Sequence, residues 1–218
     1  MSRALPLHAP STSRPRATSP STRRARAPAA LARDDPARAA TERWLRDIII
    51  GFNLCPFAKP ATPRALRVEV LRASDDPART LRAVVSSECE RLRACPRSTP
   101  ATTLVVLADD ADARDWDAFA SGAVAEAEDV CASVTGGEVT VVPFHPFATF
   151  EGESECGNYT ARSPYPTVHL LRRCDIDKAE DSWYREEGRE DIRLRNAEYL
   201  NALGIEELRR AFAAVHRE

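Results

Sequence analysis

The sequence predicts an α/β single domain: a mixed four-stranded sheet with a mostly parallel β-α-β-α-β core and a helical C-terminal third. Three observations carry that expectation. The runs LRVEVLR, TTLVVL and EVTVVPF are rich in β-branched or alternating apolar residues, and the segments between them repeat apolar residues every three to four positions. That strand-helix-strand-helix-strand succession favours parallel pairing through right-handed crossovers. Beyond a fourth strand-like run, TVHLLR, only helical spacing remains.

Each element has a local cause. Asp34-Asp35-Pro36 is a helix-start signature, and Thr41, Trp44, Leu45, Ile48 and Ile49 form an apolar stripe that Gly51 ends. The first strand is Leu66 to Arg72. DDPAR recurs at Asp75 to Arg79 and opens a second helix whose apolar face is Leu81, Val84, Val85 and Leu92. Thr102 to Leu107 suits a central strand. A third helix is expected over roughly Ala113 to Ser133, with Trp116, Phe119, Ala123, Val124 and Val130 inward, before Gly136-Gly137 turns the chain. Glu138 to Phe144 is the third strand and Thr167 to Arg172 the fourth. Asp175 is placed to cap a short helix ending near Trp183. A longer helix holds Ile192, Leu200 and Leu203 and stops at Gly204, and the last carries Ile205, Leu208, Phe212 and Val215.

Residues 1–33 contain seven arginines, eight alanines, five serines, three threonines and five prolines, with no acidic residue before Asp34. This is the composition of a transit peptide, expected to be disordered, the alternative being a disordered basic tail on a cytosolic protein. Its scattered prolines break any long amphipathic helix, which fits a chloroplast sequence better than a mitochondrial one. Residues 34–218, the expected domain, keep 24 basic against 33 acidic residues, a formal charge of −9. Such a balance disfavours nucleic acid as a partner. IIIGFNLCPF falls far short of the ~20 apolar residues of a membrane span, so no membrane association is expected. The roughly 185 residues after the leader suffice for one core burying about 70% of the unfolded surface.

Six cysteines, Cys55, Cys89, Cys95, Cys131, Cys156 and Cys174, and the triplet Asn158-Tyr159-Thr160 suggest secretion at first sight. The N-terminus lacks the apolar stretch of a secretory signal, so free thiols are expected. Cys89, Cys95 and Cys131 fall on helical patterns and read as core residues.

Between the third and fourth strands lies Phe144 to Pro166, about 22 residues without a period, longer than the ~12 to 15 of ordinary structureless loops. Phe144, Phe147, Phe150, Tyr159 and Tyr165 supply too much aromatic surface for a solvated linker, so the loop is expected to fold onto the domain.

Five motifs along the chain, GFNLCPFA, FHPFATFEG, NYTARSPYP, HLLR and IRLRNAEYLNALG, together resemble the uncharacterised domain-of-unknown-function family 1415. The resemblance spans essentially all of the chain after the leader, in matching order. It implies no activity, cofactor or partner. Cys156 and Ala161 depart from the family pattern, in which an acidic residue or alanine precedes NYT and NRSPYP replaces ARSPYP.

The candidate chemistry follows from residue type and placement. Cys55 stands before Pro56 just after a helix, where exposure could make it a nucleophile. An ordinary thiol of pKa ~8.5 is only about 3% thiolate at pH 7, so reactivity needs a cation, an imidazole or a helix N-terminus nearby. Its alternative is a small buried wedge among Phe52 and Phe57. His145 follows the third strand, at the edge where open sheets bind ligands, and suits an acid/base role or, equally, a turn histidine bonded to backbone. His169, mid-strand, reads as a satisfied core histidine. A zinc site from Cys55, His145, Cys156 and His169 lacks any paired spacing, so no metal is expected. There is no phosphate-binding glycine loop, and the cofactor stays unassigned.

Pro164 and Pro166 push Ser163 and Tyr165 toward extended geometry, fixing an irregular backbone that presents Arg162. Arg162 carries a planar fork for a carboxylate or phosphate, and Asn158, Tyr159, Ser163 and Tyr165 are placed to orient the rest of a small anionic ligand. The bland alternative pairs Arg162 with Glu151 or Glu153. Three readings follow: an enzyme with Cys55 as thiol nucleophile and His145 as acid/base, performing thiol-dependent transfer or hydrolysis of an anionic substrate; a noncatalytic metabolite- or protein-binding module on the same surface; or a purely structural loop.

Overall fold

The computed structural model describes residues 35–55, 58, 66–186 and 191–216. The expected transit peptide, Phe57 beside Cys55, residues 59–65 and residues 187–190 lie outside the described residues.

Helix α1 (Pro36–Trp44) starts as the sequence predicts. The Asp35 carboxylate accepts from the backbone N–H groups of Ala37 at 2.9 Å and Arg38 at 3.2 Å, and Pro36 occupies the first helical position. The helix widens into a π-helical segment, Leu45–Ile50, and ends at Gly51. A Cβ on Gly51 would lie 2.3 Å from the Asp47 carbonyl oxygen, so the close approach of two backbones requires glycine there.

Strand β1 (Leu66–Leu71) leads to α2 (Pro77–Ala94), capped by Asp76 through the Arg79 N–H at 2.9 Å, and then to β2 (Thr102–Leu107). The expected third helix is interrupted: α3 (Trp116–Phe119) passes through a π-helical turn, Ala120–Val124, into α4 (Ala125–Thr135). Strands β3 (Val139–Phe144) and β4 (Thr167–Arg172) flank the long loop. Helices α5 (Arg173–Glu186), α6 (Ile192–Leu203) and α7 (Ile205–Ala214) follow. Asp175 does not cap α5, which starts directly from β4. Its carboxylate instead accepts from Arg172 Nε at 2.7 Å and from the Ala101 N–H at 3.1 Å.

The four strands are ordered β1-β2-β4-β3. β1 and β2 are parallel, while β4 runs antiparallel to both β2 and β3. The sheet is mixed, as expected, but the mostly parallel core is corrected: β1, β2 and β3 share a direction, yet only β1 and β2 pair in parallel. The cause is chemical. Pro143 lacks the N–H that a central strand must donate, which confines β3 to an edge. β4 fills the vacant central place, with Val168 and Leu170 fully buried.

Alternation along the strands divides the apolar residues between two faces. Val105, Leu107, Val168 and Leu170 meet Leu81, Val85, Cys89, Phe119 and Cys131 from α2 to α4. Val68, Leu104 and Val106 meet Trp44, Ile48, Leu200 and Leu208 from α1, its π-helical extension, α6 and α7. The Cys89 and Cys131 thiols are free and lie 3.4 Å apart in the first core.

Candidate functional site

The long loop is organised by its own polar residues. The His145 N–H donates to the Ala161 carbonyl at 3.0 Å, joining the loop's two ends. The Asn158 side-chain oxygen accepts from the Phe150 N–H at 2.9 Å. Ser163 and Thr167 hydroxyls both donate to the Tyr165 carbonyl, at 2.6 and 2.8 Å, and the Pro166 carbonyl accepts from the Leu107 N–H at 2.9 Å. Asn158 and Ser163 are both buried. These bonds commit Asn158 Oδ1 and the Ser163 hydroxyl to holding the loop's shape.

A 3₁₀ turn, Gly157–Thr160, directs Tyr159 inward, where its ring meets Phe212 of α7 edge-on at 4.8 Å. The Arg162 guanidinium carbon lies 4.4 Å from the centre of the Tyr159 ring. Tyr165 is half-buried on the same core, its ring 5.9 Å from that of His216. The alternative pairing with Glu151 or Glu153 does not form: among the described residues no carboxylate lies within 4.0 Å of Arg162, and Glu153 pairs with Arg193 at 3.7 Å. Arg162 Nε is buried without a hydrogen-bond acceptor among those residues. The other two buried side-chain atoms in that condition, Arg38 Nε and Trp44 Nε1, are also donors and both belong to α1. Trp44 stacks edge-on against Phe144 at 5.1 Å, next in the chain to His145.

Cys55 sits on this same face of the sheet, half-buried against the core shared by Tyr159, Cys156 and Tyr165. Its turn is held by α6. Arg195 donates to the Asn53 carbonyl at 2.8 Å and the Asn196 amide donates to the Leu54 carbonyl at 2.7 Å. Asn53 has φ of 54°, a left-handed conformation that asparagine tolerates better than most residues. The Ser154 hydroxyl donates to Asn201 Oδ1 at 2.8 Å, so α6 buttresses both the Cys55 turn and the long loop. Sequence reasoning missed Arg195 and Asn196. The available signal was Asn196 itself, four residues after Ile192 and four before Leu200, on the apolar stripe of its helix.

His145 is not part of this surface. Its side chain is fully buried on the opposite face, stacked on Phe119 at 5.3 Å and 5.7 Å from Trp116. Nδ1 accepts from the Phe147 N–H at 3.0 Å, which leaves the proton on Nε2 to bond the Ala113 carbonyl at 2.9 Å. Burial lowers its pKa below the ordinary histidine value, so the ring is neutral at pH 7. His169, on the face of Leu104, donates from Nε2 to Thr102 Oγ1 at 2.6 Å, because that hydroxyl gives its own proton to the Leu170 carbonyl. Burial pushes its pKa down to about 4. Among the described residues no three His, Cys, Asp or Glu side chains group to hold a metal ion. No helix among them is long and apolar enough to cross a membrane.

Residues 36–210 match the family model described as "Protein of unknown function (DUF1415)". No curated protein and no solved structure matches the chain.

Proposed function

From the premise that this chain belongs to the DUF1415 family, which hands down no activity, we propose that it binds a small carboxylate with an apolar body, clamped by Arg162. The observation that carries this reading is the Arg162 side chain, held on the Tyr159 ring with its Nε buried and unmatched among the described residues. A buried donor without an acceptor costs about 1–3 kcal/mol, and the cation–π contact returns only ~0.5–2 kcal/mol. A ligand carboxylate would supply both the missing acceptor and the missing charge through a bidentate fork. The half-buried Tyr165 and Phe212 supply apolar surface for the rest of the molecule, at the end of the sheet where β3 ends and β4 begins, an edge where open sheets receive ligands.

The geometry favours a noncatalytic binding module over a thiol enzyme. Cys55 shares the face of Arg162, but a neutral His145 with both nitrogens engaged across the sheet supplies no base to it. A plastid address, resting on the composition of residues 1–33, belongs to the same proposal, and a fluorescent fusion of that segment tests it.

Calorimetric titration of the full chain with benzoate tests the binding reading. Saturable binding that Arg162→Gln weakens at least tenfold, and Arg162→Lys less, is the expected outcome. Equal affinity in Arg162→Gln, or no saturable binding by the native chain, overturns it.

A further inference from the structure

A cleft of about 290 Å³ opens at the far end of β3 and β4 from Arg162, where Val139 pairs with Arg172. Its lining carries four arginines, Arg93, Arg97, Arg172 and Arg173, against one carboxylate, Glu138. Asp175 matches the charge of Arg172 at 2.7 Å, which leaves a surplus of two positive charges. The domain around it carries −9. A concave positive site on a negative chain concentrates small anions while the rest of the surface repels long polyanions.

We propose that this cleft binds the phosphate group of a small phosphorylated ligand, independently of the Arg162 surface. Its floor is rigid: Arg172 also donates to the carbonyls of Cys95 at 2.9 Å, Pro96 at 3.3 Å and Thr99 at 2.6 Å, so it shapes the site and is not free to move toward a ligand. Gly136 and Gly137, with φ of 61° and 89°, leave one wall without side chains, and a Cβ at either would meet nothing within 4 Å. The remaining arginines are the ligand groups. Glu138 already lies across two of them, 3.3 Å from Arg93 Nε and 3.6 Å from an Arg97 terminal nitrogen. Charge-assisted pairs of good geometry close to 2.7–2.9 Å. A planar carboxylate spans this gap without filling it. A tetrahedral dianion offers more acceptor oxygens and would reach Arg173 as well, whose terminal nitrogens have no partner among the described residues, only its Nε bonding the Gly137 carbonyl at 3.0 Å. Glu138 is half-exposed, as is Arg93, so the carboxylate swings out readily and acts as a weak internal competitor.

Thermal-shift and calorimetric titration of the full chain with inorganic phosphate, against chloride at equal ionic strength, tests this. Phosphate is expected to bind saturably and raise Tm. Glu138→Gln should tighten phosphate binding at least threefold by removing the competitor. The double variant Arg93→Ala/Arg97→Ala should weaken it at least tenfold, and Arg162→Gln should leave it unchanged. The proposal is overturned if phosphate stabilises no more than chloride, if Glu138→Gln fails to tighten binding, or if Arg162→Gln abolishes it. The Glu138 variant decides the matter even if the double arginine variant does not fold.

Discussion

The side-chain amide of Asn196 donates to the main-chain carbonyl of Leu54 at 2.7 Å, and both residues are buried, 142 positions apart in the chain. Asn196→Leu keeps the volume but leaves that carbonyl without a donor, at a cost of about 1–3 kcal/mol. Because the bond holds the turn that carries Cys55, the variant should also expose the thiol. Faster alkylation of Cys55 by iodoacetamide under native conditions, together with a lower Tm, is the expected result.

Two arginines should respond very unequally to removal. Arg172→Met strands the Asp175 carboxylate and three carbonyls, and is expected to destabilise by about 3–5 kcal/mol. Arg162→Gln removes a cation that meets only an aromatic ring among the described residues, and should change stability by less than about 1 kcal/mol. Urea denaturation of both variants measures the difference.

Stability should fall in mild acid. His169, pushed down to about 4 by burial, takes up its proton in the folded protein at lower pH than in the unfolded chain, where histidine titrates near 6.5. Between those values the unfolded state binds more protons, so stability rises with pH across the window and is lost as pH falls through it. Above 6.5 the stability is fully present. The loss below about pH 4 amounts to roughly 3 kcal/mol from this residue, from 1.36 kcal/mol per unit. His145, also lowered by burial, acts in the same direction. Denaturation of His169→Gln at pH 7, 6, 5 and 4 should show a shallower slope than the native chain.

The buried Cys89 and Cys131 thiols should resist alkylation in the folded protein, since the contact with Cys89 and, after it, burial raise the Cys131 pKa, and neither sulfur is open to reagent. Mass spectrometry after timed labelling should find the half-buried Cys55, Cys95, Cys156 and Cys174 modified first, and the other two only on unfolding.

Local signals were legible in the sequence, and contacts between distant segments were not. Thr102–Leu107 and Thr167–Arg172 follow from their apolar runs, and Asp35 and Asp76 cap the helices that their Asp-Pro signatures announce. The succession of elements favours parallel pairing and does not carry the strand order, for which Pro143, marking β3 as an edge, is the one local signal. His145 adopts the turn reading, with both ring nitrogens bonded to backbone, and its side of the sheet follows from parity. Phe144 faces the α1 core, so its neighbour one step on faces the other side, a parity that the strand pattern already contained. The clamp of Asn196 on Leu54 leaves no local trace beyond one polar residue on an apolar stripe. That Arg162 meets no carboxylate among the described residues has no local signal, since Glu151 and Glu153 stand nearby in sequence and only the fold sends Glu153 to Arg193.

The Nε–H of Arg162, observed by nitrogen-edited NMR and assigned through Arg162→Lys, reports most directly on the carboxylate site. On titration with benzoate its signal should move downfield saturably and its exchange with water should slow, as a buried donor gains its acceptor. A resonance that stays unmoved while benzoate binds, or that is already fully protected without benzoate, would contradict the assignment of Arg162 as the ligand's clamp.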